Sequence, residues 1–474
     1  MSKIFFRTTA MIILSAIIAP IFVLADGMVI WPDPTYPDQW RYRDEESQLA
    51  FINYQDGLQK MIISTGLKQE NGNGVWLFPV PAKPEKVVID VVDQFPNWRG
   101  MYVYDAAKNN LSEIGRWLNA TQIYPEFFRP RYIGTPMYSV GNGLNALQPT
   151  DIVAEKTDVT VYEHLDKEGI TTEIITAKTG SGLYDYLKSK NLNVLDGSIP
   201  VLNNYIGKDF TFVVSWLAET QVPIDQSMPV YNSYPYYKSY YPQKGVFVAF
   251  QTNKMYYPLM PTSVYQSKVI PTTIKVYGFV SPRIFKDIKP YTEVKYLVED
   301  SYYSSSGPQI FYNNSNRQDL KYTLININAP SKMLSDDLWI KNSAPMSASY
   351  ALTIARHPAV WFIFALVIIS ALTGFIVGLI FFKEARFKKG WWKFAVLGLF
   401  NCLSIIGLII ATLFTPTKNI KEEDKELFAT LKKKGYNSWL FRVGDFRKIG
   451  FIAAYSLIFM LLSFVIVGIL GLGI

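Results

Sequence analysis

A chain of 474 residues, 49% of them apolar, has room for a sizeable core, for membrane segments and for two or three domains. Its net charge of +8 is concentrated: residues 356–474 carry 15 basic and 6 acidic side chains, whereas 26–355 carry 30 basic and 33 acidic. The large central part therefore lacks the basic footprint of a nucleic-acid binder, and a single cysteine, Cys402, excludes intrachain disulfides and thiolate zinc sites.

The N-terminus carries Lys3 and Arg7, then an apolar run, then Val-Leu-Ala before Asp26. This order predicts a signal peptide over 1–25, cleaved after Ala25. An uncleaved signal anchor is the alternative, and both place the following part outside the cytoplasm.

From residue 26 onward, alternation with turn punctuation predicts strands at 48–54, 58–65, 75–80 and 86–92. Asp56-Gly57 between the first two is a hairpin signal. A second hairpin joins 158–165 to 170–177, and further strands are expected at 210–217, 245–252, 272–280 and 322–328. Helices are few: 105–119, with Leu111, Ile114 and Leu118 on one face, and 182–190, with Leu183, Tyr186 and Leu187 on one face. The fold class expected is α+β, mainly antiparallel β, outside the cytoplasm, followed by an α-helical anchor of three transmembrane helices. A compositional dip at 141–149 suggests two β-rich subdomains, 26–145 and 146–345.

A juxtamembrane segment, 346–358, leads to three apolar runs, 359–382, 391–414 and 449–474. Each exceeds the roughly 20 residues that span hydrocarbon. With the large part outside, the loop bearing Lys383, Arg386, Lys388 and Lys389 lies inside, as basic loops prefer. The loop 415–448 would then be outside, although it carries nine basic residues. A re-entrant second run would place both loops inside; its length and near absence of charge favour a full span. Within that loop, acidic residues from Glu422 and basic residues to Lys434 bracket a short amphipathic helix ending at Gly435. Ser370, Gly374 and Gly378 make a small-xxx-small ladder for close helix packing, within one chain or between two.

The order of several blocks resembles the uncharacterised domain-of-unknown-function family 2330 of exported prokaryotic proteins. The blocks are S-Q-L-A-F-I-N-Y-Q-D-G running into V-W-L-F-P-V-P-A-K-P; T-E-I-I-T-A-K with L-Y-D-Y-L-K-S-K-N-L-N-V; F-V-A-F-Q-T with M-Y-Y-P-L-M-P-T-S; and Y-T-L-I-N-I-N-A-P-S-K-M-L-S-D-D-L. Together they cover about 26–340. The resemblance implies an exported protein and assigns no activity or site residue.

Candidate chemistry is sparse, and no catalytic, cofactor-binding or metal residue is assigned. His164, at a strand end, has no nucleophile elbow near it in sequence. The G-x-G-x-x-A string from Gly141 to Ala146 lacks the strand-before, helix-after context of a dinucleotide site. Carboxylates cluster at Asp44-Glu45-Glu46, Asp90 with Asp93, and Asp336-Asp337, without calcium-loop spacing. Asn110, Asn119 and Asn313 open sequons that matter only where exported proteins are glycosylated. Tyr231, Tyr234, Tyr236, Tyr237, Tyr240 and Tyr241 crowd one stretch and form a candidate recognition loop, since tyrosine gives contact area at low entropic cost.

The function expected is a multi-pass cell-membrane protein whose outer part binds or organises something at the cell envelope without catalysis. Its partners would be the lipid bilayer and another envelope protein. An envelope hydrolase using carboxylates, and a sensor or transporter accessory subunit, are the alternatives.

Overall fold

The computed structural model describes residues 28–32, 40–42, 48–64, 74–122, 154–156, 159–167, 170–190, 196–217, 245–299, 307–312, 320–382, 392–415, 422–435 and 446–473. The chain divides into two compact units. One comprises Met1–Gly100 with Tyr138–Ala344, the other Met101–Met137 with Pro345–Ile474.

The strands begin with β1 (Met28–Pro32), β2 (Trp40–Tyr42), β3 (Gln48–Gln55), β4 (Leu58–Ser64), β5 (Gly74–Val80), β6 (Val87–Val92) and β7 (Gly100–Tyr102). Helix α1 (Val103–Ala120) follows and belongs to the second unit. The first unit resumes with β8 (Ala154–Lys156), β9 (Val159–Lys167), β10 (Ile170–Ala177), α2 (Gly180–Ser189), α3 (Ile199–Asn203) and β11 (Thr211–Leu217). It continues with β12 (Gly245–Gln251), β13 (Met255–Tyr257), β14 (Thr272–Tyr277), β15 (Ser281–Pro282), β16 (Thr292–Glu299), β17 (Lys321–Ile327) and β18 (Leu338–Lys341).

Local chemistry explains the well-placed elements. Asp56 and Gly57 both take positive φ, 51° and 83°, the backbone of the tight turn that joins β3 to β4. The Thr179 hydroxyl accepts from the Gly182 amide at 2.9 Å and caps α2.

Two large sheets form, in the orders β2-β1-β5-β11-β10-β9-β8 and β6-β12-β4-β3-β14-β17-β16-β7, with a small β13-β18-β15 sheet beside them. The described ladders are antiparallel, apart from β3 with β14. One core cluster draws Trp76, Phe78, Ile174 and Val213 from the first sheet and Ile52, Met61, Val248 and Ile274 from the second. Each sheet also buries its other face. Leu183, Leu187 and Tyr205 cover Val75, Ile175 and Phe212 on one, and Trp98, Phe311 and Tyr312 cover Phe51, Ile62 and Phe247 on the other. Strands buried on both faces read as continuous apolar runs, as in β12, Gly-Val-Phe-Val-Ala-Phe.

The expected α+β, mainly antiparallel class is observed. The expected division near residue 145 is not followed: each large sheet takes strands from both sides of it, with β4 beside β12 and β5 beside β11. The helix expected at 105–119 forms as α1, but it leaves the β-rich unit. Strand β16, with Tyr296 and Val298 inward, was readable from its alternation and went unpredicted.

The second unit adds α4 (Met346–Arg356), α5 (Pro358–Phe381), α6 (Trp392–Leu399), a 3-10 turn at Phe400–Leu403, α7 (Ser404–Phe414), α8 (Glu422–Lys433) and α9 (Phe446–Gly471). Three helices, Pro358–Phe381, Trp392–Phe414 and Arg447–Gly471, are long and apolar enough to cross a membrane. The short helix expected after Glu422 forms as α8, and Gly435, at φ 83°, follows its end.

Candidate functional site: a polar junction among the apolar helices

Polar groups inside an apolar bundle are costly, so their placement is informative. Helices α5 and α6 approach through residues without bulk. A Cβ added at Gly374 would lie 2.5 Å from the Gly398 Cα, and one added at Gly378 would lie 2.5 Å from the Phe394 ring. Ser370, Gly374 and Gly378 thus line a contact within one chain. Phe382 stacks on Phe451 of α9 at 4.8 Å between ring centres, which closes the α5–α9 side.

The second apolar run breaks where it meets this ladder. After the 3-10 turn, Ser404 takes φ 75° and ψ 173°, outside the helical region, and α7 begins there. The groups freed by the break find partners. The Tyr455 hydroxyl points at the carbonyls of Gly398, 3.1 Å, and Ser370, 3.2 Å. Asn401 Nδ2 donates to Ser370 Oγ at 3.3 Å, and Asn401 Oδ1 accepts from Gln122 Nε2 at 3.0 Å.

Helix α1 supplies the remaining partners. Its apolar stripe, Val103, Ala107, Leu111, Ile114 and Leu118, is buried. Asn110 Nδ2 donates to the carbonyls of Ile354 and Ala355, at 3.2 and 2.9 Å, which are otherwise without intrahelical partners at the α4 terminus. Trp117 meets Phe362 edge-on, 5.8 Å between ring centres. Asn119 Oδ1 accepts from Ser463 Oγ at 3.1 Å. At the end of α1, the Thr121 carbonyl accepts from the Ile405 amide at 3.0 Å. The negative end of one helix dipole thus faces the positive end of another.

Gln122 Oε1, Thr373 Oγ1 and Thr412 Oγ1 are buried without a hydrogen-bond partner among the described residues. The junction offers amide and hydroxyl groups, so it is equipped for hydrogen bonding.

In the β-rich unit two buried carboxylates organise their surroundings. Asp337 is 6% exposed and accepts from Tyr205 Oη at 3.0 Å, Tyr256 Oη at 2.8 Å and the Met260 amide at 2.9 Å. Burial outweighs these donors and pushes its pKa up to about 6; burial also raises both tyrosines well above their usual range. Glu173 is 2% exposed and binds His164 Nδ1 at 2.9 Å, Lys190 Nζ at 3.1 Å and the Tyr186 hydroxyl. The Lys190 ammonium also sits 5.6 Å from the Trp216 ring centre.

The other candidates fall as follows. The tyrosines from Tyr231 to Tyr241, the Gly141–Ala146 string, Asp44, Glu45, Glu46 and Asn313 lie outside the described residues. Asp90 pairs with Lys167 at 2.7 Å, and Asp93 is exposed. Asp336 accepts from the Asp337 amide at 2.8 Å. His357 ends α4, its amide donating to Thr353 at 3.0 Å. Asn110 and Asn119, read as sequon positions, are engaged with helices. Asp337 was singled out as half of a carboxylate pair, but its tyrosine partners were not, and the Glu173 cluster and the Gln122–Asn401 pair were missed by sequence. Glu173 had a signal, an acid in the strand Ile-Thr-Thr-Glu-Ile-Ile; the other two depend on distant segments.

The class is therefore a multi-pass membrane protein with an α+β, mainly antiparallel part. No family model matches the chain, and no curated protein matches it. Among solved structures, baculovirus P35 is similar over 63% of this chain and 96% of its own length, at 11% identity and a TM-score of 0.21. A score that low does not establish a shared fold.

Proposed function

We propose that this is an exported, non-enzymatic membrane protein whose β-rich unit binds or organises another envelope protein at the cell surface. The signal-peptide pattern of residues 1–25 supports export, and the ordered blocks over 26–340 support kinship with family 2330. The observation that carries the reading is the division of the chain. The membrane unit contains 101–137 from the middle of the β-rich sequence as well as the C-terminal helices. The chain therefore crosses between the units three times, which suits display of a surface better than a single flexible leash. The buried carboxylates Glu173 and Asp337 serve internal cohesion in this reading.

A photo-crosslinking residue placed singly at Val88, Val269 or Tyr291, all more than 40% exposed, tests it in native membranes. A discrete envelope-protein adduct from these positions is expected. Adducts confined to membrane-unit positions such as Leu457 and Leu461 would instead favour an accessory subunit. That second reading draws on the buried polar junction, since polar groups at such depth commonly serve transport or coupling.

A further inference from the structure

We infer that the second apolar run is a re-entrant hairpin, so that both basic loops leave the membrane on one face and the outer half of its slot is filled by α1.

Four helix ends meet at one level. Phe382, after α5, contacts Phe394 in the first turn of α6, 6.3 Å between ring centres, and stacks on Phe451 near the start of α9. A Cβ at Gly450 would lie 2.6 Å from the Phe381 ring. Lys448, in the first turn of α9 and 1% exposed, donates its ammonium to the carbonyl of Leu413, in the last turn of α7. The end of α7 is thus at the same level as the start of α6.

The turn between α6 and α7 lies at a different level. Asn401 binds Ser370, twelve residues before Phe382 along α5, or about 18 Å at 1.5 Å per residue. Helix α7 has 11 residues, about 16 Å. That length returns the chain from the Ser370 level to the Lys448 level. A chain continuing in the original direction would leave Leu413 about 30 Å from Lys448, beyond the reach of any side chain. The positive φ of Ser404 is where the direction changes.

Helix α1 approaches the same turn from the opposite side. Trp117 packs on Phe362 in the first turn or so of α5, and Thr121 and Gln122 reach Ile405 and Asn401. Non-helical backbone at membrane depth is tolerated where protein satisfies it, and α1, Ser370 and Tyr455 do so here. The hairpin also removes the charge conflict. Four basic residues in 383–391 and nine in 415–448 share one face, 13 against six acidic, as the positive-inside rule favours. That face suits an anionic leaflet.

The test uses full-length protein in whole cells, in a Cys402→Ser background, with a membrane-impermeant maleimide before and after permeabilisation. Single substitutions are Lys388→Cys in the first loop, Lys433→Cys in α8 and Leu472→Cys beyond α9, the last two exposed. Lys388→Cys and Lys433→Cys are expected to label alike, and Leu472→Cys oppositely. Three full crossings predict the reverse: Lys388→Cys and Leu472→Cys alike, Lys433→Cys opposite. That outcome would overturn the inference. Because only relative sides are compared, failure of the export proposal would not affect the result.

Discussion

The amide of Ile405 donates to the carbonyl of Thr121 at 3.0 Å, so the start of one apolar helix is capped by the end of a helix from the middle of the β-rich sequence. Next to it, Gln122 and Asn401 exchange a side-chain hydrogen bond at 3.0 Å. Together they make α1 part of the membrane unit.

Gln122 and Asn401 should therefore be energetically coupled. In a double-mutant cycle with Gln122→Ala and Asn401→Ala, the interaction energy is expected at about 0.6–1.7 kcal/mol, the range for side-chain hydrogen bonds between membrane helices. Thermal unfolding in detergent measures it. Strict additivity would refute the contact.

Gly374 and Gly468 both lie in apolar helices but should differ. A Cβ at Gly374 meets Gly398 backbone at 2.5 Å, which cannot move aside cheaply, whereas a Cβ at Gly468 has nothing within 4 Å. Gly374→Ala is expected to cost about 1–3 kcal/mol by overpacking. Gly468→Ala should be neutral or mildly stabilising, through helix propensity. Equal effects in a thermal melt would contradict the close approach of α5 and α6.

Asp337 makes stability depend on pH. Its folded pKa, about 6, lies above the ordinary 3.8. The neutral carboxyl is favoured in the folded state, so its contribution is complete below about pH 3.8 and is lost as pH rises through about 6. The shift corresponds to about 3 kcal/mol. Denaturant unfolding of the wild type and Asp337→Asn, followed by tryptophan fluorescence, should show the wild type losing ground to the variant between pH 4 and 7. A pH-independent difference would rule this out.

Glu173 should matter more than the lysine it binds. Lys190 is 40% exposed at its side chain, so its ion pair is screened, and Lys190→Ala should cost under about 1 kcal/mol. Glu173→Ala strands the largely buried Tyr186 hydroxyl and should cost about 1–3 kcal/mol more. Glu173→Gln, which keeps an acceptor for Tyr186, should recover part of that. A larger loss from Lys190→Ala than from Glu173→Ala would reverse the assignment.

The sequence by itself determined the elements whose cause is local. Apolar runs of membrane length, the Asp56-Gly57 turn and the apolar stripe of α1 follow from side chains within a few residues of one another. Their α+β, mainly antiparallel class followed too. Periodicity says that a face must be buried and is silent about what buries it. The tertiary structure decided that Leu111, Ile114 and Leu118 pack in the membrane unit, that strands on both sides of residue 145 share each large sheet, and that the ladder of Ser370, Gly374 and Gly378 receives Gly398 and Phe394 of the same chain. It also decided the partners of Asp337 and Glu173. Each of these is a contact between segments distant in sequence, selected by shape and by the need to satisfy buried polar groups, and neither requirement leaves a periodic trace along the chain.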